Sequence, residues 1–175
     1  MHQERIKKLA IINMVIINNT KGEEKANEIL IPYHFRSSWY QHLLSIKDLP
    51  EALIAGKEDI WVRFFSYGVS NPMPEDAIEE YIRCYKIPKT ITTAANIYRT
   101  LNKDRKRWKQ YLGRQISIPS LIIHGVLDPV IIKEYLVGVE DCFADLNIKK
   151  IKGGHFVVDE QPEAVGKALA DFLEA

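Results

Sequence analysis

Ile118-Pro119-Ser120-Leu121-Ile122-Ile123-His124-Gly125-Val126-Leu127-Asp128 and Leu146-Asn147-Ile148-Lys149-Lys150-Ile151-Lys152-Gly153-Gly154-His155 are two strand-like stretches, each followed by glycine and then by a residue that can hold or accept a proton. Short apolar runs bounded by Pro and Gly read as buried strands. We place strands over residues 118–124 and 146–151. The stretch between them, 129–145, is rich in helix formers and predicts a helix. Together they make a strand–helix–strand unit whose default is the right-handed parallel crossover. Beyond them Val165, Ala168, Leu169, Phe172 and Leu173 recur at helical spacing, and Pro162 suits a first turn, so a last helix is expected over 162–173.

Upstream, residues 9–17 form one more largely apolar run, and a third buried strand is placed over residues 8–15. Arg5, Lys7 and Lys8 before it mimic the start of a secretory signal. Asn13 interrupts the run, however, no small-residue cleavage site follows, and the run falls short of the roughly 20 residues that cross a bilayer. Between this strand and residue 116 no strand signal appears, and the sequence reads as consecutive helices. One is expected over 36–44. A second opens with Asp48 and Glu51 at capping-box spacing. A third is expected over 59–67. Two more start at Pro74, with Ala77, Ile78, Tyr81, Ile82 and Tyr85 on one face, and at Pro88, with Ile91, Ala94, Ala95, Tyr98 and Leu101 on one face.

The fold class is therefore α/β: a short parallel sheet of about three strands with an inserted helical excursion. Three regions follow, residues 1–19 (first core strand and exit loop), 20–115 (helices) and 116–175 (strand–helix–strand–helix). So small a sheet is unusual. The 8–15 strand is apolar along its length, yet nothing is left to pair beside it, and a bare apolar edge is a liability that proteins cover.

Composition bounds the function. The 175 residues are 46% hydrophobic and 27% charged, with a formal net charge of +1, so neither disorder nor a global field for nucleic acid or anionic membrane is expected. Lys103, Arg105, Lys106, Arg107, Lys109 and Arg114 cluster around Trp108 and Tyr111, which reads as a solvated helix and not as a nucleic-acid patch. Cys84 and Cys142 lack metal or disulfide-framework spacing, His34 and His42 lack ligand partners, and the expectation is a cytoplasmic protein with no metal and no cofactor.

Asp128 and His155 stand just past the carboxyl ends of adjacent strands, where parallel sheets bind their ligands on one rim. A carboxylate there can accept the Nδ1 proton of the imidazole, fixing its tautomer and preparing it as a general base. Taken singly, Asp128 also reads as a helix cap and His155 as a loop residue.

The order strand, Asp128-Pro129, helix, strand, Gly153-Gly154-His155-Phe156, Asp159-Glu160-Gln161-Pro162-Glu163 and a final helix resembles the end of an α/β hydrolase. The 2–13 segment resembles the strand that follows the nucleophile-bearing one, and the helical stretch resembles the family's inserted cap. Tyr40-Gln41-His42-Leu43, Asp48-Leu49-Pro50-Glu51-Ala52-Leu53 and Asn96-Ile97-Tyr98-Arg99 resemble the cap of epoxide hydrolases and the related haloacid dehalogenases. The resemblance implies a truncated α/β hydrolase acting on a small molecule. In it Asp128 and His155 would be the acid and base, and Tyr40 and Tyr98 phenolic donors to an epoxide oxygen. Trp39 with Tyr40 would be halide donors in the dehalogenase branch.

No Gly-x-Ser-x-Gly or Gly-x-Asp-x-Gly occurs. Gly68-Val69-Ser70-Asn71-Pro72 lacks the second glycine, and His124-Gly125 follows the wrong strand for an oxyanion loop. The resemblance thus supplies an acid, a base and a cap without a nucleophile. Two further expectations follow: a non-catalytic assembly module that forms a homodimer through the 8–15 edge, or one half of a split hydrolase that pairs there with a second chain.

Overall fold

The structure, a computed structural model, describes residues 3–31, 34–66 and 72–174. It divides into two compact units, residues 1–31 with 110–175 and residues 32–109.

The first unit holds a three-stranded parallel sheet in the order β1 (Leu9–Ile12), β2 (Ser120–Gly125), β3 (Leu146–Ile151). Leu9 sits opposite Ser120 and Ile12 opposite Ile123, while Ser120 sits opposite Leu146 and Gly125 opposite Ile151. Every residue of β2 is buried, the apolar Leu121, Ile122 and Ile123 together with polar Ser120 and His124. Alternate side chains feed two cores. Leu121, Ile123 and Ile151 pack with Val157, Val165 and Ala168 on one face; Ile122 packs with Ile16, Val139, Cys142 and Phe143 on the other. The first core is covered by α8 (Pro162–Glu174), entered through the short α7 (Val157–Glu160). Lys8 Nζ reaches the far end of α8 and donates to the carbonyls of Phe172 (2.8 Å) and Leu173 (3.1 Å), where a cation suits the helix terminus.

Two expectations for this unit are corrected. The 8–15 run is strand only over β1, because Asn13 turns the chain at φ 43. The 129–145 stretch is not an α-helix. It carries two single 3-10 turns, Lys133–Leu136 and Val139–Cys142, with Gly138 between them at φ 70. Val130, Ile131 and Ile132 are β-branched and Gly138 breaks the stretch at positive φ, so the Asp128 carboxylate, which takes the amides of Val130 and Ile131, caps only a turn. The helix that packs on this crossover is α1 (Thr20–Leu30), which the sequence reading did not resolve. Asn19 caps it and also donates to the Tyr135 carbonyl at 2.8 Å. At Gly22 the approach is so close that a Cβ would lie 2.3 Å from that carbonyl oxygen. By its contacts α1 belongs with the sheet, whereas the reading began the helical region at residue 20.

The second unit is helical: α2 (His34–Ser45), α3 (Leu49–Ile54), α4 (Glu58–Ser66), α5 (Glu75–Tyr85) and α6 (Thr90–Trp108). Leu44, Ile54 and Ala95 form its core with Tyr40, Trp61, Tyr85, Ile91 and Tyr98 packed around them. The capping box expected at Asp48 does not form. Asp48 sits at φ 62 with no side-chain cap bond, and Glu51 turns instead to Arg99 in a two-pronged ion pair (3.0 and 2.9 Å) that fastens α3 to α6. The 68–71 part of the glycine–serine fragment and the side chain of His34 lie outside the described residues.

Among the described residues no helix is long and apolar enough to cross a membrane.

Candidate active site

Two loops leave the carboxyl ends of β2 and β3 side by side. Backbone bonds lace them together: Val126 N donates to the Ile151 carbonyl and Leu127 N to that of Gly153, both at 2.9 Å. Glycine is required where they touch. A Cβ on Gly125 would stand 2.5 Å from the Gly154 oxygen and 2.7 Å from the Gly153 oxygen.

The lacing brings Asp128 and His155 together. Asp128 Oδ2 lies 2.9 Å from His155 Nδ1. Its Oδ1 accepts the Val130 and Ile131 amides at 2.7 and 2.9 Å, so the carboxylate is fixed at both oxygens. The Asp128 side chain is 0% exposed and that of His155 32%. An ionised carboxylate only accepts, so Nδ1 carries the proton and Nε2 keeps its lone pair. A buried acid orienting a partly exposed imidazole is the geometry of a general base. Asp128 also caps the turn that follows it, where a helix cap had been expected, and His155 sits in a turn.

Residues that the sequence reading passed over hold this pair from behind. Asn13, noticed there only as an interruption, accepts from Gly125 N (2.7 Å) and donates to the carbonyls of Gly154 (2.7 Å) and His155 (2.9 Å). Buried Glu160 accepts from Gly154 N at 2.8 Å. A polar side chain ending an apolar strand on the ligand-binding rim was the available signal. In β2 itself, burial pushes the His124 imidazole below its ordinary value, with Lys150 adding to the shift and Asp128 opposing it.

The other candidates lie in the helical unit. Tyr40 and Tyr98 meet edge to face with ring centroids 5.8 Å apart. Trp39 stacks on Phe65 and meets Tyr40, Trp61 and Phe64 edge-on. Burial, helped by the neighbouring Tyr40 and Tyr85, pushes the Tyr98 hydroxyl up to about 12, which keeps it a donor at neutral pH. Cys142 is packed in the sheet core, and burial pushes its thiol up, the opposite of an activated nucleophile. Among the described residues no cluster of three His, Cys, Asp or Glu is placed to hold a metal ion.

Solved structures share this fold. Cfl2 from Burkholderia cenocepacia superposes with a TM-score of 0.80 at 25% identity, over 98% of this chain and 58% of its own. ALR0039 of Nostoc sp PCC 7120, provisionally named an alpha/beta hydrolase, gives 0.73 at 23%, over 98% and 59%. The chain carries part of an α/β-hydrolase fold. Potato (Solanum tuberosum) epoxide hydrolase I, StEH1, matches the same α/β-hydrolase architecture with a TM-score of 0.73 at 18% identity, over 97% of this chain and 62% of its own. The chain thus spans about three-fifths of the length of the α/β-hydrolase structures it matches. No family model matches the sequence, and no curated protein does.

Proposed function

We propose that this chain supplies the water-activating part of an α/β hydrolase of the epoxide-hydrolase or haloacid-dehalogenase kind. The observation that carries the proposal is the 2.9 Å contact between buried Asp128 and partly exposed His155 on the sheet rim. In the proposed reaction a carboxylate attacks the substrate carbon, opening the epoxide or expelling halide, and leaves an alkyl ester. His155 Nε2 then takes a proton from water as its oxygen adds to the ester carbonyl, and Asp128 stabilises the resulting imidazolium. Collapse expels an alkoxide that takes the proton from the imidazolium to leave as the alcohol, and the carboxylic acid so formed loses its proton to become a carboxylate again. The same reading gives Tyr40 and Tyr98 the part of phenolic donors to the epoxide oxygen, and Trp39 with Tyr40 that of halide donors.

The sequence contains no elbow motif, so the attacking carboxylate is supplied by a separate segment. The open edge of β1 is the place for that segment to join. Leu9 N and Asn13 N donate inward, to Pro119 and Ile123. By alternation the amides of Ala10 and Ile12 point away from β2. The opposite edge strand, β3, carries Lys149 and Lys150, charges that discourage pairing, while β1 carries none. The same edge favours a second reading, in which two copies pair through β1 as a homodimer.

The test is an assay on epoxides and small haloacids. The purified 175-residue chain is expected to be inactive, and a mixture with the elbow-bearing part of a related hydrolase is expected to turn over, with His155→Ala abolishing the activity. Turnover by the chain alone that His155→Ala removes, or reconstituted turnover that survives it, would refute the proposal.

A further inference from the structure

We propose that Asn13 is a positioning residue: its side-chain amide sets the distance between the loop that carries His155 and the loop that carries Asp128. The inference rests on the reading of these two residues as a working pair. β1 does not touch β3, since β2 lies between them. Asn13 spans that gap from the end of β1. Its Oδ1 takes the Gly125 amide at the end of β2, and its Nδ2 uses both hydrogens on the loop after β3, one for the Gly154 carbonyl and one for that of His155 itself.

Three features mark this as a built arrangement. Asn13 is 8% exposed, so its amide would be left desolvated and unsatisfied without these bonds. The backbone accepts a left-handed turn (φ 43) to aim the amide over the sheet end, a conformation that asparagine tolerates better than most residues. And the amide packs closely on Gly125, where a Cβ would lie 3.1 Å from Asn13 Nδ2. The nitrogen and oxygen of the amide have different tasks. The oxygen ties β1 to β2, while the two hydrogens hold the histidine loop. Glu160, on the Gly154 amide, secures the same loop from the other side.

The division of labour gives the experiment. Asn13→Asp keeps the shape and the acceptor for Gly125 N but replaces the two donors with a carboxylate oxygen facing two carbonyls. The readout is the far-downfield imidazole proton of His155 Nδ1 bonded to Asp128, followed by NMR in the full chain and assigned by its loss in Asp128→Asn. Asn13→Asp is expected to abolish the signal, or to speed its exchange with water at least tenfold, while the amide spectrum of the β2 and β3 residues stays dispersed. Asn13→Ser, which is too short to reach both carbonyls, is read in the same way should Asn13→Asp not fold. A folded variant that keeps the signal at its original position and exchange rate would overturn the proposal and leave the paired reading of His155 intact. Absence of the signal from the unmutated chain would overturn both.

Discussion

At the scale of single residues, the rim depends on what Gly125 lacks. Both atoms its Cβ would meet first are backbone oxygens of the histidine loop, which cannot rotate out of the way. Gly125→Ala is therefore expected to destabilise the chain by about 1–3 kcal/mol, the usual cost of overpacking. Urea unfolding followed by circular dichroism checks this, and an unchanged midpoint would show that the loop has room. The meeting of Asp128 and His155 was legible in the sequence because residue type, order and position after two strand-like stretches all pointed the same way. Their supports were not. Asn13 bonds to partners 112, 141 and 142 positions away, and no local pattern announces a contact of that span. The glycines were visible, but as turn residues; only the folded backbone reveals that they are sites of close approach.

Elements follow the same division. Strand-like stretches ending in glycine identified β2 and β3, and the apolar run after Lys8 identified β1, although only β2 is buried throughout. Pro74, Pro88 and Pro162 marked helix starts to within two residues of α5, α6 and α8. The crossover between β2 and β3 misled, since helix-forming composition lost to a β-branched run and to Gly138 at positive φ. The capping box at Asp48 failed for a related reason: Glu51 has a better partner in Arg99, a fork that also donates to the Ile46 carbonyl at 3.0 Å. Arg99 holds the Glu51 carboxyl down to about 2, against 4.5 for the unpaired group. A depressed carboxyl stabilises the folded state above the unfolded value and loses that contribution as pH falls through the folded one. Arg99→Met is accordingly expected to lower the melting temperature at neutral pH. The gap to the unmutated chain should narrow below pH 4.5 and close near pH 2. Thermal melts at a series of pH values read this directly, and a gap independent of pH would mean that Arg99 acts through packing alone.

For the whole molecule, the two edges of the sheet are unlike. β3 ends the sheet with lysines, whereas β1 ends it with half-buried Leu9, Ile11 and Ile12 and exposed Ala10, with outward amides at Ala10 and Ile12. Ala10→Pro would remove one outward donor and leave the bonds to β2 in place. If β1 is the joining edge, this variant is expected to lose association at least tenfold in sedimentation measurements, with a second copy or with an elbow-bearing segment, and to keep its fold. Association equal to that of the unmutated chain would place the joining surface elsewhere.

The covalent chemistry can be read by mass. When the chain is combined with an elbow-bearing segment and given an epoxide, His155→Gln should accumulate an ester on the elbow carboxylate, seen as a stable mass increase equal to one substrate, while the unmutated pair shows turnover and no lasting adduct. Release of that ester at the same rate with and without the imidazole would contradict a water-activating role for His155.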